Sequence, residues 1–65
     1  MSENVIIRII LNGRTSYFVE GGISSPLVTT IDITEASKYN LDLMTIVKSH
    51  LRRLYPTAKI DIINP

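Results

Sequence analysis

Residues 5–20 read VIIRIILNGRTSYFVE, two runs of strand-forming residues on either side of Asn12-Gly13. A two-residue type I′ turn needs a positive φ at both central positions, and Asn-Gly adopts it readily. The stretch therefore predicts a β-hairpin. If the turn contains only those two residues, Leu11 lies opposite Arg14 and the register of the hairpin is fixed.

The predicted register assigns every hairpin side chain to one of two faces, because successive side chains in a strand point to opposite sides. Counted back from the turn, the expected pairs are Leu11–Arg14, Ile10–Thr15, Ile9–Ser16, Arg8–Tyr17, Ile7–Phe18, Ile6–Val19 and Val5–Glu20. The face with the longer apolar row is expected to be covered by other parts of the chain. That row consists of Val5, Ile7, Ile9, Leu11 and Phe18.

The composition favours sheet in the rest of the chain as well. Ile, Val and Thr supply 21 of the 65 residues, and β-branched side chains suit strands better than helices. A loop is predicted over 21–26, where Gly, Ser and Pro are concentrated. Residues 27–33 alternate with a period of two and predict a third strand. Residues 58–63 predict a short last strand.

A single amphipathic helix is predicted between the third and the last strand. Pro56 ends it. Two starts are open: with Thr34 as N-cap the helix covers about 35–55, and with Asn40 as N-cap it begins near residue 40. Its apolar stripe, at helical spacing, consists of Leu43, Met44, Val47, Leu51 and Leu54.

Together these elements predict one small α+β domain over residues 1–65. The hairpin and the third strand form an antiparallel sheet, the helix packs on one face of it, and the C-terminal strand returns to it. The expected order is βββαβ, or ββαβ if residues 27–33 do not form a strand.

The composition excludes several classes of functional site. With no Cys and a single His, His50, the chain has no disulfide scaffold, thiol nucleophile or multi-histidine metal site. No phosphate-binding loop and no G-x-S-x-G motif is present, and the acidic residues are spread along the chain. We therefore expect no enzyme, no cofactor and no metal. Without a membrane-spanning apolar run or a basic signal segment, we expect a cytoplasmic protein.

The sheet face away from the helix is the candidate binding surface. A chain this short buries only about 60% of its unfolded surface, and one helix covers only one face. Exposed apolar patches commonly mark interfaces. The predicted interface residues are Ile6, Arg8, Ile10, Tyr17 and Val19. We expect a second copy of the chain, forming a homodimer, or another protein to bind there. The alternative is that the 21–26 loop or the termini fold over this face.

Nucleic-acid binding is the second hypothesis. Lys48, Arg52, Arg53 and Lys59 form a run of cations with no acidic residue among them until Asp61, as a basic strip at the helix C-terminus would require. Cations at that position also complement the helix dipole without any ligand. A net charge of only +1 gives little general attraction for a polyanion, so we favour the interpretation that these cations complement the helix dipole.

The outline of the predicted fold, a hairpin, a helix and a last strand in 65 residues, resembles that of several small phage-encoded proteins that bind and block host enzymes. The resemblance lies in the architecture and carries no shared motif. It implies a regulator or inhibitor of a partner protein, and it assigns no residues.

Overall fold

The structure is a computed structural model that describes residues 4–22 and 24–64. It confirms the α+β class, since one helix packs against an antiparallel sheet and the C-terminal strand pairs with the first strand. A 3₁₀ turn over Ile33–Glu35 separates the third and fourth strands. In chain order the strands and the helix are β1 (Asn4–Leu11), β2 (Arg14–Glu20), β3 (Val28–Thr30), β4 (Tyr39–Asn40), α1 (Leu41–Leu54) and β5 (Lys59–Ile63).

Strand β1 lies at the centre of the sheet. Its residues 8–10 pair with both β2 and β5, which therefore occupy its two opposite edges. β3 pairs with β2, and the short β4 pairs with residues 4 and 5 at the start of β1. A central position suits β1, because a nearly continuous apolar run is typical of a buried strand.

The hairpin turn has the predicted geometry. Asn12 and Gly13 have φ angles of 52° and 77°, the positive values that a type I′ turn requires. The four predicted pairs nearest the turn are confirmed, from Leu11–Arg14 through Arg8–Tyr17.

Further from the turn the predicted register is wrong at one end. Val5 pairs with Tyr39 of β4 and not with Glu20 of β2. The pairing of β2 with β3 shifts between Phe18 and Glu20, and such a bulge bends a strand and increases its twist. The far end of β2 therefore follows β3, and β4 takes its place beside the start of β1.

The main core lies between the sheet and α1. Alternate residues of β1 face the helix, as the hairpin register predicts, and Ile60 of β5 joins them. Leu27, Tyr55, Ala58 and Ile62 pack at the margin of this core. Its buried members are Val5, Ile7, Ile9, Phe18, Met44, Val47, Leu51 and Ile60.

The connection from β3 to α1 differs from the prediction. The third strand covers only Val28–Thr30 and not 27–33. Thr34 does not cap the long helix, because Asp32 caps the 3₁₀ turn instead and accepts hydrogen bonds from the Thr34 N–H at 3.0 Å and hydroxyl at 2.7 Å. These two bonds lower the pKa of the Asp32 carboxyl below its ordinary value, and the bond from the hydroxyl has the larger effect.

Helix α1 begins at the later of the two predicted starts. Asn40 is the N-cap, and its side-chain oxygen accepts the Leu43 N–H at 2.8 Å, which satisfies one of the unpaired N–H groups of the first turn. The helix ends at Leu54, two residues before Pro56. Within the described ranges, no helix is long and apolar enough to cross a membrane.

In the predicted loop over 21–26, the described residues form no helix or strand, and Ile23 lies outside the described residues. Gly21 has a φ of +82°, and a Cβ at this position would lie 2.0 Å from the Pro26 carbonyl oxygen. Only glycine allows the backbone to approach itself so closely here.

Candidate functional site

The sheet face away from α1 carries the predicted interface residues, and the structure leaves this face partly closed. Ile6 has no exposed surface, so the expectation that the whole row lies open is corrected at this residue. Arg8, Ile10, Tyr17 and Val19 are half-buried. These four residues keep part of their surface accessible, and their role as an interface stays a prediction.

The chain itself supplies the cover over Ile6. Ile6 and Ala36 are buried, yet both lie outside the main core. Next to Ala36, Ser37 donates its N–H to the Phe18 carbonyl at 3.1 Å and its hydroxyl to the Val19 carbonyl at 2.5 Å. These bonds hold the segment between β3 and β4 against β2. We infer that this segment covers Ile6, a cover that was predicted instead for the 21–26 loop or the termini.

Arg8 forms an ion pair in the middle of this face. Its Nη2 donates to Asp61 Oδ2 at 3.1 Å, and the two residues are direct neighbours across β1 and β5. Tyr17 lies opposite Arg8 on the other edge of β1. With the two side chains 37% and 31% exposed, the pair stabilises the fold by no more than about 1 kcal/mol. Sequence reasoning missed Asp61, because local patterns do not reveal which strand β5 pairs with.

The structure does not bring the four predicted nucleic-acid-binding residues together. Lys48 and Arg52 lie one turn apart on one side of α1, and Arg53 lies about 100° further around the helix. Lys59 is the register partner of Ile10, which places its side chain on the sheet face away from α1. The cations therefore point in three directions and do not form the predicted strip.

Metal binding and catalysis gain no geometric support in the part of the chain described. Among residues 4–22 and 24–64, no three His, Asp or Glu side chains come together in a group able to hold a metal ion. His50 is exposed on α1. The absence of an enzymatic activity stays a prediction.

Half of the exposed large hydrophobic residues in the described ranges lie on α1. Leu43 and Leu54, predicted to belong to the buried stripe, are 41% and 56% exposed, and Ile46 is 56% exposed. The helix carries seven large apolar residues, but only Met44, Val47 and Leu51 are buried. A helix contacts a sheet along one stripe, so the others face solvent. The number of apolar residues on α1, larger than one stripe needs, is the sequence signal that predicts this surface.

We call this surface the α1 flank and define it as Leu43, Ile46, His50, Arg53 and Leu54. The first four follow one another at spacings of three, four and three residues, so they lie along one side of the helix. In the middle of the flank, a depression of about 260 Å³ is lined by Ile46, Ser49, His50 and Arg53. The flank thus carries three exposed apolar side chains, a recess at its centre that is lined mainly by polar residues, and a cation at its C-terminal end.

The N-terminal end of the α1 flank adjoins a second cavity, whose lining includes an acidic residue in place of a cation. This cavity has a volume of about 280 Å³, and its lining includes Leu43, Tyr39 and Glu20. Tyr39 is 42% exposed, and Glu20 is exposed as well. Glu20, Tyr39 and Leu43 therefore line one cavity, at the end of the flank opposite Arg53.

Comparison of the chain with protein families, with curated proteins and with solved structures finds no match. The assignment of a function therefore depends on the surfaces described above.

Proposed function

We propose that this protein is a non-catalytic interaction module, and that its simplest partner is a second copy of itself. The observation that supports this proposal is the exposed apolar surface. Eight large hydrophobic residues of the described ranges are at least 40% exposed, and four of them lie on α1. Burying such surface contributes about 25 cal/mol per Å², a large gain for a domain whose own core is small.

Two surfaces are available for the contact. The sheet face away from α1 offers the half-buried side chains of Ile10, Tyr17 and Val19. The α1 flank offers more, since Ile46 and Leu54 are each 56% exposed. We assign the main contact to the α1 flank and keep the sheet face as the alternative surface.

A regulatory or inhibitory role in the cytoplasm is part of the proposal. The outline resembles that of small phage-encoded proteins that bind and block host enzymes, and an exposed helix flank with apolar side chains suits binding of that kind. Such a role needs no catalytic group, only a surface that a partner buries.

Nucleic-acid binding through Lys48, Arg52, Arg53 and Lys59 is the weaker candidate, because these cations point in three directions. It makes a distinct prediction: affinity for single-stranded DNA or RNA would fall steeply as salt rises, since phosphate contacts release counterions. Burial of apolar surface involves no release of phosphate counterions and does not weaken in this way.

Sedimentation equilibrium over a wide range of protein concentration tests the proposed function. We expect the weight-average mass to rise from that of one chain to that of two as the protein concentration increases. A chain that stays monomeric at the highest concentration would contradict self-association. The pair of variants is Ile46→Asp and Ile10→Asp, one on each surface: loss of the dimer in only one of them, with an unchanged circular dichroism spectrum, identifies the surface that is used.

A further inference from the structure

We propose that two copies of the chain associate through their α1 flanks, with the two helices antiparallel across a two-fold axis. This proposal rests on the self-association proposed above and gives it a geometry. Positions 43, 46, 50 and 53 alternate spacings of three and four residues, which is the spacing of a coiled-coil seam. The seam is separate from the buried stripe of Met44, Val47 and Leu51, so pairing requires no change in the core.

The depression at the centre of the flank has the form of a coiled-coil hole. Its lining residues, Ile46, Ser49, His50 and Arg53, are spaced i, i+3, i+4 and i+7. Four residues at this spacing form the hole that receives one side chain from a facing helix. The surface thus already contains a recess of the shape that helix pairing needs.

An antiparallel two-fold arrangement places the right side chain in that recess. If the axis passes at the level of residue 48, position 46 of one helix faces position 50 of the other, and position 43 faces position 53. Ile46 of each copy then enters the hole of its partner. Because the axis relates the two copies, the dimer buries both of these exposed side chains. An isologous contact of this kind closes as a dimer and does not extend into a filament.

The charges at the two ends of the flank complement each other in the same arrangement. Glu20 and Leu43 line the same cavity at one end, and Arg53 lies at the other end, about 15 Å from Leu43 along the helix at 1.5 Å per residue. Two-fold pairing brings Arg53 of one copy to Glu20 of the other, twice in each dimer. Parallel pairing would instead place Arg53 beside Arg53, so charge favours the antiparallel orientation.

Arg53 and Glu20 are available for this contact. Within the described residues, the salt bridge that the structure contains joins Arg8 to Asp61, and both Glu20 and Arg53 are exposed. Arg52, the preceding residue, points about 100° away from Arg53 and faces the side of α1 that carries Lys48. It therefore provides a matched control of the same charge on the same helix turn.

Charge reversal tests the arrangement, with the dimer dissociation constant measured by sedimentation equilibrium. We expect Arg53→Glu and Glu20→Arg each to raise the dissociation constant about tenfold, and the double variant to restore it to within about threefold of the wild-type value. Arg52→Glu should leave it within about threefold. Ile46→Asp, at an exposed position, should raise it at least about 30-fold while the circular dichroism spectrum stays unchanged.

The outcomes separate this proposal from the one on which it rests. If the wild-type chain is monomeric at every concentration, both proposals fail. If it dimerises but Ile46→Asp and the charge reversals leave the dissociation constant unchanged, the antiparallel α1 contact fails and self-association stands. If Ile46→Asp dissociates the dimer but the double charge reversal does not restore it, the flank is used in another orientation and the two-fold geometry is overturned.

Discussion

The sheet face away from α1 and the α1 flank both carry apolar side chains outside the main core, but the two surfaces differ in how far the chain buries them. Ile6 on the sheet face is fully buried, whereas Ile46 on the flank is 56% exposed. The segment between β3 and β4 is held against β2 by the bonds of Ser37. The flank has no such cover in the described ranges. In a chain this short, the connections decide which apolar surface stays open.

The largest expected effect sharpens the contrast between the two sides of α1. Leu51 is fully buried, and Leu54 is 56% exposed. We expect Leu51→Ala to lower the free energy of unfolding by about 4 kcal/mol, since a buried leucine leaves a cavity. The matched change Leu54→Ala should cost less than about 1 kcal/mol. Urea titration of dilute protein checks both, and equal effects would show that the flank is part of the core.

The next prediction tests whether the sheet face is closed at Ile6. Because Ile6 is fully buried and Ile10 is half-buried, we expect Ile6→Ala to destabilise the chain by about 3 kcal/mol. Ile10→Ala should cost roughly half as much, in proportion to the apolar area it buries. The same urea titration measures both. A smaller loss for Ile6→Ala than for Ile10→Ala would mean that the β3–β4 segment does not cover this face.

A smaller effect is expected at the residue that sets where α1 begins. Asn40 accepts the Leu43 N–H, so Asn40→Ala should lower the free energy of unfolding by about 1 kcal/mol. Asn40→Asp retains a capping oxygen and should change the free energy of unfolding by less than about 0.5 kcal/mol. Thermal unfolding followed by circular dichroism measures both. Equal losses in the two variants would argue that the cap does not fix the start of the helix.

The smallest effect is expected at the 3₁₀ turn over Ile33–Glu35, in the segment between β3 and β4. Bonds from Thr34 lower the pKa of Asp32, so the folded state favours the carboxylate. This stabilisation is present above the pKa of the unfolded chain and is lost as the pH falls through the folded value. We expect Thr34→Val to be slightly less stable than the wild type at neutral pH and equal to it in acid, whereas Thr57→Val, outside this turn, should show no such convergence. A difference that persists in acid would assign the effect to packing.

Much of the fold follows from local sequence signals. Asn12-Gly13 predicted the turn and the register near it because a two-residue turn leaves no freedom there. The end of β2 was not predictable, since it depends on the bulge near Phe18 and on β4, which arrives from a distant part of the chain. The same limit explains the other errors. Burial of Ile6 and the Arg8–Asp61 pair depend on long-range packing, and the exposure of Leu43 and Leu54 depends on how wide a stripe the sheet can cover.

The chain's eleven isoleucines give the most direct test of where it makes its contact, because each δ1 methyl group reports on one place. We would record methyl NMR spectra with a soluble paramagnetic agent in dilute and in concentrated protein. We expect Ile46 to be broadened in dilute protein and protected in concentrated protein. Ile31, which is 87% exposed, should stay broadened in both, and Ile6 should be protected in both. Unchanged broadening of Ile46, or new protection of Ile10 in its place, would contradict the account.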